Sequence, residues 1–473
     1  MTHTLPLVGS ALFRVRAATG RCAAPTVRCR EVPFRVGRWT TFMLLLAAGV
    51  AHPAAAQLKV DINQGQSQPL PVAVPGFATP ASAPTAAGET GALGMQVAGV
   101  IGNDLKSSGL FKPVGPSAPV TNGEVTKPSF VPIRAVGAQA LVTGFVEKNG
   151  DGSITVGCYL YDAYAEQELT RDGFKVAPAA WRRAAHKCAD KVYGRLTGET
   201  GYFDSQIAYI SETGPKTRRV KRLAIMDQDG ANHRFLTNGQ NLVLTPRFAP
   251  NESRLAYMSF ANNKPRIYRY DAVAGRHSLV GEFSGTTLSP RYSPDGRYLL
   301  LSQVRAGVAN IYRLDLESNA LTRLTDGPSI DTSPSYSPDG SKIVFESDRS
   351  GTQQLYVMNA DGSGQRRISY GEGRYATPAW SPRGDWIAFT RIGGGALRVG
   401  VMHPDGSGAR VLTDSWADEG PSWSPNGRVI AFFRSPQGGG TPKLMSVDLT
   451  GQNLRMIPTP LGGSDPGWGP LRP

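Results

Sequence analysis

Apolar and polar residues alternate in short runs through the second half of the chain, and one phrase returns there at a nearly fixed interval. The phrase is Pro, any residue, an aromatic residue, a small residue, Pro, and then a turn pair such as Asp-Gly. Its first prolines are Pro246, Pro290, Pro334, Pro378, Pro421 and Pro466. They lie 44, 44, 44, 43 and 45 residues apart, which is typical of a repeat architecture.

Each repeat unit contains the pattern of four short strands. The phrase supplies the first strand, because proline is tolerated at strand ends, and the Asp-Gly or Asn-Gly pair makes a hairpin turn. In one unit the next three runs are "IVFES" at 343–347, "QLYVMN" at 354–359 and "RRIS" at 366–369. Four strands per unit of this length predict the blades of a β-propeller.

The number of strands predicts six blades in a closed ring. The run at 207–211, "IAYIS", has the second-strand pattern without a phrase before it, and the phrase at Pro466 has no second strand after it. We therefore expect the C-terminal phrase to supply the inner strand of the blade that starts near Ile207. Such a closure removes exposed sheet edges.

Residues 57–198 follow a different pattern, which predicts a small α/β domain. Apolar residues recur at helical spacing in "MQVAGVIGNDL" (95–105), and two alternating runs around Asn149-Gly150 predict a hairpin. A second helix is expected between Pro178 and Gly198. The predicted apolar face of this helix consists of Trp181, Ala185, Cys188, Ala189, Val192 and Leu196. His186 lies one step off that face, so we expect it to be solvated.

The first 56 residues predict a secretory signal peptide. They hold seven arginines and one acid, followed by the apolar run 42–50 and the sequence "HPAAAQ". A basic stretch, a short apolar core and an Ala-x-Ala site predict cleavage between Ala56 and Gln57. The basic stretch is long, which leaves open a translation start downstream of Met1, and a buried helix is the alternative. The predicted fold is thus mainly β, with a six-bladed β-propeller over 199–473, a smaller N-terminal α/β domain over 57–198 and a cleaved signal peptide.

Charge gives little reason to expect a nucleic-acid partner. The formal net charge of +14 falls to +8 when the presequence, with a net charge of +6, is removed. The basic run 216–222 is more typical of a solvated loop than of a nucleic-acid patch. After Ala56 no apolar run is long enough to span a bilayer, so we expect a soluble protein in an exported, oxidising compartment.

Two of the four cysteines, Cys22 and Cys29, belong to the presequence. Cys158 shares a strand face with Ile154, Val156 and Leu160, and Cys188 lies on the apolar helix face. If that helix covers that sheet, the two sulfurs can meet. In an exported protein this predicts a disulfide bond, and two buried free thiols are the alternative.

A search for catalytic chemistry finds no constellation. The sequence has no Gly-x-Ser-x-Gly, no Walker loop and no Rossmann fingerprint. The histidines after the presequence, His186, His233, His277 and His403, are scattered without metal-ligand spacing. We therefore expect a binding scaffold with no catalytic residue, no metal and no cofactor. The alternative is a propeller enzyme, a hydrolase or lyase, with a cluster of histidines and carboxylates facing the channel.

Two segments are candidates for partner binding. Leu58, Val60 and Ile62 alternate with Lys59 and Asp61, a strand that either forms an edge of its own domain or adds to the sheet of another protein. The second candidate is the propeller face made by the loops that lead into the inner strands, because these loops vary while the Asp-Gly turns do not. The residues expected to bind there are Thr286, Asp331, Thr332, Arg374, Tyr375, Asp418 and Glu419; ordinary solvated loops are the alternative.

The chain resembles the TolB family, the periplasmic propeller proteins of the Tol-Pal envelope system. The resemblance rests on "KVDINQG" (59–65), "IGNDLKSSGLFKP" (101–113), "AHKCADKVYGRLTGETGYFDSQIAYIS" (185–211) and the six phrases. It implies a non-enzymatic periplasmic scaffold, with a Pal-like outer-membrane lipoprotein on the propeller and a TolA-like inner-membrane protein on the N-terminal strand.

The resemblance also implies a role in outer-membrane integrity and in constriction during cell division. The scaffold would be a monomer that reaches membranes only through its partners. The sequence departs from the family pattern at Thr286, where the resemblance leads us to expect a histidine.

Overall fold

The computed structural model describes residues 58–60, 68–115, 118–250 and 254–473. The predicted signal peptide and its cleavage site lie outside these residues, as do Asp61 and Ile62 of the predicted N-terminal strand. Within the described residues no helix is long and apolar enough to cross a lipid bilayer. The structure is mainly β and consists of a six-bladed β-propeller with an N-terminal α/β domain, as the sequence predicts.

The N-terminal domain is built on one five-stranded sheet. In chain order its elements are β1 (Leu70–Ala73), β2 (Pro84–Thr85), β3 (Gly88–Glu89), α1 (Thr90–Ser107), β4 (Phe111–Val114), α2 (Asn122–Thr126), α3 (Val131–Ala135), β5 (Ala140–Lys148), β6 (Ile154–Asp162), β7 (Gln167–Val176) and α4 (Trp181–Thr197). The strand order is β4-β1-β5-β6-β7, and β2 with β3 forms a separate small ribbon. Strand β1 is parallel to both of its neighbours, whereas β5, β6 and β7 are antiparallel.

Helix α4 packs against α1 and against strands β6 and β7. It ends where Gly198 takes a left-handed backbone conformation with φ of 78°, a conformation that glycine adopts without steric cost. Cys188 of α4 and Cys158 of β6 are joined by a disulfide bond, with their Cα atoms 5.9 Å apart. The helix therefore covers the sheet in the way the two cysteine positions require.

The propeller consists of six four-stranded sheets. Their strands are β8 (Ser205–Thr213), β9 (Val220–Asp227) and β10 (Arg234–Phe235); β11 (Val243–Phe248), β12 (Arg254–Ser259), β13 (Arg266–Asp271) and β14 (Arg276–Leu279); β15 (Thr286–Tyr292), β16 (Tyr298–Arg305), β17 (Val308–Asp315) and β18 (Leu321–Arg323). Then follow β19 (Asp331–Tyr336), β20 (Lys342–Ser347), β21 (Gln354–Asn359) and β22 (Arg366–Arg367); β23 (Arg374–Trp380), β24 (Ile387–Gly393), β25 (Ala396–Met402) and β26 (Arg410–Val411); β27 (Asp418–Trp423), β28 (Val429–Arg434), β29 (Lys443–Asp448) and β30 (Arg455–Met456); and β31 (Gly462–Leu471). We number the blades 1 to 6 in this order.

Strand β31 closes the ring as the sequence predicts, because it pairs with β8 as the inner strand of blade 1. Trp468 connects this strand to blade 1 and to the neighbouring blade 6. Its indole N–H donates to Ser205 Oγ at 2.9 Å, and its backbone N–H donates to Ser422 Oγ of blade 6 at 2.9 Å. The two ends of the propeller are thus held together by hydrogen bonds as well as by the sheet.

Every inner strand contains a bulge at the same place. The residue directly before the first proline of the phrase has a left-handed backbone in all six blades, with φ between 47° and 68°. These residues are Thr245, Ser289, Ser333, Thr377, Gly420 and Asp465. Left-handed backbone is costly for residues other than glycine, and the surrounding structure offsets that cost. In blade 5, for example, the N–H of Thr377 donates to Glu346 Oε2 of blade 4 at 2.7 Å.

The N-terminal domain is docked on the end of the propeller that carries the Asp-Gly and Asn-Gly turns. Arg383 in one turn forms an ion pair with Glu199 at 2.7 Å, and Asn426 in the next donates to the Thr200 carbonyl at 2.9 Å. Apolar side chains of the domain and of blades 1 and 6 form one continuous core, in which Tyr202 and Phe203 are fully buried. The domain and the propeller therefore share one interior.

Candidate functional site

The propeller has two different ends. The turn face is made by the hairpin turns that join the first and second strands and the third and fourth strands of each blade. The loop face is made by the loops that lead into the inner strands, namely 236–242, 280–285, 324–330, 368–373, 412–417 and 457–461. Because the N-terminal domain is docked on the turn face, the loop face is the end left open for a partner.

The loop face carries an arc of exposed apolar side chains. In five of the six loops a large apolar residue is exposed, and these residues are Leu461, Leu242, Ile330, Tyr370 and Trp416. They belong to blades 1, 2, 4, 5 and 6, which are consecutive around the ring. The aromatic pair is the most exposed, with 66% of Tyr370 and 53% of Trp416 accessible. An extended apolar patch on one face is typical of a protein-binding surface.

Two acids that the sequence assigned to partner binding are buried instead. Asp418 is fully buried and accepts two hydrogen bonds from the Arg434 guanidinium, at 2.7 and 2.8 Å. Asp331 is also fully buried and accepts from Arg349 at 2.9 Å. Each acid begins an inner strand, and its arginine lies at or just after the end of the second strand of the same blade. The expectation that these acids stand at exposed loop tips is wrong, because each is bound within its own blade.

The position of Tyr375 also differs from the predicted one. Its side chain is buried against Phe389, and its hydroxyl donates to the Tyr370 carbonyl at 3.1 Å. Thr332 is half-buried and donates to Glu346 Oε1 at 2.5 Å. These two side chains stabilise the inner strands of blades 4 and 5 rather than presenting free groups.

The remaining three predicted residues differ in exposure. Thr286 is half-buried at the start of β15, and Glu419 is half-buried in β27. Burial raises the pKa of Glu419, and the charge of Asp465 raises it further. Arg374 is exposed at the start of β23, so it is the member of the predicted set best placed to meet a partner.

The exposed apolar arc was missed by the sequence analysis, which selected the loops that lead into the inner strands but named none of these five residues. The available signal was a large apolar residue one to four positions before an inner strand. Such a residue breaks the polar character expected of a loop. Trp416 in "DSWADEG" shows this most clearly.

The N-terminal segment is docked on its own domain. Leu58–Val60 is not part of a sheet, which corrects the predicted strand over these residues. Val60 is buried, and its N–H donates to the Leu196 carbonyl at the end of α4 at 2.8 Å. Leu58 packs against the same core, whereas Lys59 is exposed. The alternative left open by the alternating pattern was that the segment forms an edge strand of its own domain. The segment does contact its own domain, but it does not pair with a strand there.

His186 is fully buried, so the expectation that it is solvated is wrong. Its Nδ1 atom lies 2.6 Å from Oδ2 of Asp104 in α1. Asp104 Oδ1 in turn accepts from Gln228 Nε2 of the propeller at 2.8 Å. The side chain one step off the apolar face of α4 is buried because α1 and a propeller turn cover that position.

The same junction brings together a possible metal-ligand set, Asp104, His186 and Asp229. Spacing along the chain could not show this group, because its members come from three distant segments. Their oxygens already have donors: Asp104 binds His186 and Gln228, and Asp229 is paired with Arg182. The arrangement therefore suits an ion-pair network between the domain and the propeller better than a metal centre.

The channel end at the turn face holds a cavity of about 350 Å³. Its walls are the aromatic residue, the small residue and the second proline of each phrase, together with Arg291, Ser335, Ala379 and Ser422. Among the described residues, no histidine lines it. The cluster of histidines and carboxylates that a channel enzyme would need is not formed by the residues around this cavity.

A six-bladed propeller with a docked α/β domain places the chain in the class of two-domain β-propeller proteins. Family profiles identify it further: the TolB amino-terminal domain matches residues 58–169 and the TolB beta propeller domain matches residues 193–472. The chain belongs to the TolB family of Tol-Pal system proteins.

Individual relatives agree with this assignment. The chain is 65% identical over 432 residues to the Tol-Pal system protein TolB of Rhizorhabdus wittichii, covering 91% of this chain and 98% of the relative. It is 66% identical over 418 residues to that of Zymomonas mobilis, covering 88% and 91%. The crystal structure of TolB from Acinetobacter baumannii superposes with a TM-score of 0.73 at 26% identity, covering 88% of this chain and all of that one.

Proposed function

We propose that the loop face binds a Pal-like outer-membrane lipoprotein, so that the chain acts as a periplasmic scaffold of the Tol-Pal system. The observation that carries this proposal is the arc of exposed Leu461, Leu242, Ile330, Tyr370 and Trp416 on the face that the N-terminal domain leaves open. Membership of the TolB family supports a role in the Tol-Pal system. The position of the arc supports the loop face as the surface that binds the partner.

The arc has the composition of a protein-binding hot spot. Tryptophan and tyrosine contribute most to binding when a partner buries them, because they bring a large apolar area with few rotatable bonds. The exposed Arg374 begins the inner strand that follows the loop of Tyr370. An arginine at the rim of an apolar patch suits a partner with acidic groups around an apolar centre.

The second proposed contact is made by the segment 57–63 with a TolA-like inner-membrane protein. Its alternating side chains suit strand addition, in which backbone hydrogen bonds supply affinity and the side chains supply specificity. Because Val60 packs on α4, this segment must leave its own domain before it can pair with a partner sheet. Together the two contacts would link the inner membrane to the outer membrane, supporting envelope integrity and constriction at cell division.

The direct test is to compare two serine substitutions on opposite faces. Trp416→Ser removes an exposed apolar side chain from the loop face, and Val273→Ser removes one from a turn between β13 and β14 on the turn face. We expect Trp416→Ser to weaken binding of the lipoprotein's soluble domain about tenfold or more. Val273→Ser should leave the dissociation constant unchanged. Equal binding by Trp416→Ser and the unsubstituted protein, or a loss in Val273→Ser alone, would show that the loop face is not the binding surface.

A further inference from the structure

Two arginines lie at the same level of the propeller channel. Arg247 of blade 2 and Arg291 of blade 3 occupy the position between the first proline and the aromatic residue of the phrase. In the other four blades this position is filled by the small residues Ser335, Ala379, Ser422 and Gly467. The ring therefore has one cationic side, and the small residues opposite leave room in front of it.

The two arginines differ in their partners. Arg247 donates to the carbonyl oxygens of Pro246 at 2.6 Å and Pro466 at 3.3 Å, and the charge of Asp465 acts on it. Around Arg291, the described residues place no carboxylate, hydroxyl or carbonyl oxygen within hydrogen-bonding distance of the guanidinium. Burial and the neighbouring charge of Arg247 lower the pKa of Arg291 well below its ordinary value. A guanidinium stays protonated in proteins, so Arg291 carries a positive charge that no carboxylate among the described residues pairs with.

Arg291 lines the cavity of about 350 Å³ at the turn-face end of the channel. Six aromatic residues also line this cavity, together with prolines and serines of the phrases; the aromatic residues are Phe248, Tyr292, Tyr336, Trp380, Trp423 and Trp468. Ser335 also lines it, and its hydroxyl oxygen accepts from the backbone N–H of Trp380 at 3.1 Å. A cavity of this size, with one charged group among apolar and hydroxyl-bearing side chains, has the features of a small-ligand site.

We propose that this end of the channel binds a small oxyanion, a carboxylate or a phosphate group, on the guanidinium of Arg291. The planar guanidinium presents paired N–H donors that match two oxygens of such a group. Arg247, whose charge is partly balanced by Asp465, adds positive potential on the same side of the channel. The site lies at the opposite end of the propeller from the loop face, so it does not depend on the proposed lipoprotein contact.

The test uses thermal unfolding of the whole exported chain in sodium phosphate, sodium acetate and sodium chloride at equal ionic strength. We expect phosphate, acetate or both to raise the melting temperature above its value in chloride, and the responding salt identifies the preferred group. Arg291→Gln should remove this difference. In chloride alone it should melt higher than the unsubstituted protein, because it removes the repulsion from Arg247. Arg276→Gln, which removes an exposed arginine on the outer strand of blade 2, should keep the full response.

Direct binding provides the second measurement. Phosphate or acetate titrated calorimetrically should bind Arg291→Gln at least about tenfold more weakly than the unsubstituted protein, and Arg247→Gln should weaken binding without abolishing it. The proposal is overturned if the unsubstituted protein melts equally in all three salts, or if Arg291→Gln retains the response. If Arg291→Gln does not fold, unchanged anion binding by Arg247→Gln overturns it in the same way.

Discussion

The imidazole of His186 and the carboxylate of Asp104 form a hydrogen bond of 2.6 Å in a fully buried position. The pair joins α4 to α1, and Gln228 extends it into the propeller. The other ring nitrogen, Nε2, faces Asp227 Oδ2 at 4.0 Å. Because this histidine is surrounded by carboxylates, we expect the docking of the domain to depend on pH.

The first prediction concerns this pH dependence. Burial opposes the charged form of His186, but the attraction and hydrogen bond of Asp104, with help from Asp229 and Asp227, outweigh it and raise the pKa of His186. A raised pKa means that the folded state holds the proton more tightly than the unfolded chain. The contribution to stability is complete below the ordinary histidine pKa of about 6.5, and it is lost as pH rises through the folded value.

The measurement is the free energy of unfolding as a function of pH, for the unsubstituted protein and for His186→Gln. The unsubstituted protein should lose stability as pH rises above about 6.5, and His186→Gln should show a smaller loss over the same range. Burial raises the pKa of Asp190 on the same helix to about 7, which adds a loss of the same sign. Burial also raises the pKa of Asp104, the partner of His186. The difference between the two curves therefore reports the His186–Asp104 pair, and identical curves would contradict the prediction.

The second prediction concerns the bond between Cys158 and Cys188. The exported protein should carry this disulfide, which closes a loop across a sequence separation of 30 residues. The bond should stabilise the folded state by roughly 3–4 kcal/mol. Alkylation of the denatured protein without reductant should add no alkyl group by intact mass, whereas two added groups would mean free thiols. Cys158→Ser together with Cys188→Ser should unfold at lower denaturant concentration by a corresponding amount.

The third prediction separates stability from binding on the loop face. Asp418→Asn removes a carboxylate that binds Arg434 with two hydrogen bonds, so it should cost roughly 1–3 kcal/mol of stability.

Arg374→Glu changes an exposed side chain and should leave the melting temperature nearly unchanged. It should instead slow association with the proposed lipoprotein and alter its salt dependence. If Arg374→Glu associates at the original rate at low salt, Arg374 is not part of the binding surface.

The fourth prediction concerns the N-terminal segment. Deleting residues 57–63 should abolish binding of the proposed TolA-like partner. The deletion also removes the contact of Val60 with α4, so a modest loss of stability is expected in the N-terminal domain. Lys59→Ala changes an exposed residue of the same segment and serves as the control for stability. Retained partner binding after the deletion would assign that contact to another surface.

The propeller could be predicted from the sequence because its determinants are local. Prolines and Asp-Gly pairs at fixed spacing set strand ends and turns within each blade, and the unmatched strand at Ile207 then required a partner from Pro466. The pattern of α4 was equally local, including its end at Gly198.

The candidate site was harder to predict because it depends on contacts between distant segments. Asp418 looked like a loop tip, but Arg434 lies beside it only after β27 and β28 have paired. His186 looked solvated on an isolated helix, and its burial follows from α1 and the propeller turn at Gln228. The bulge before each phrase was also unexpected, since a left-handed residue before proline is not a preferred conformation.

Because β31 closes the ring, the propeller can complete its folding only after the C-terminal strand is present. Trp468 and Ser205 are separated by 263 residues, so blade 1 cannot be completed until β31 has been synthesised and has reached β8. Until then β8 keeps one edge unpaired, and such an edge can pair with another chain. Contacts between residues so far apart in sequence also slow folding. We therefore expect the propeller to resist aggregation and proteolysis only after β31 has paired with β8.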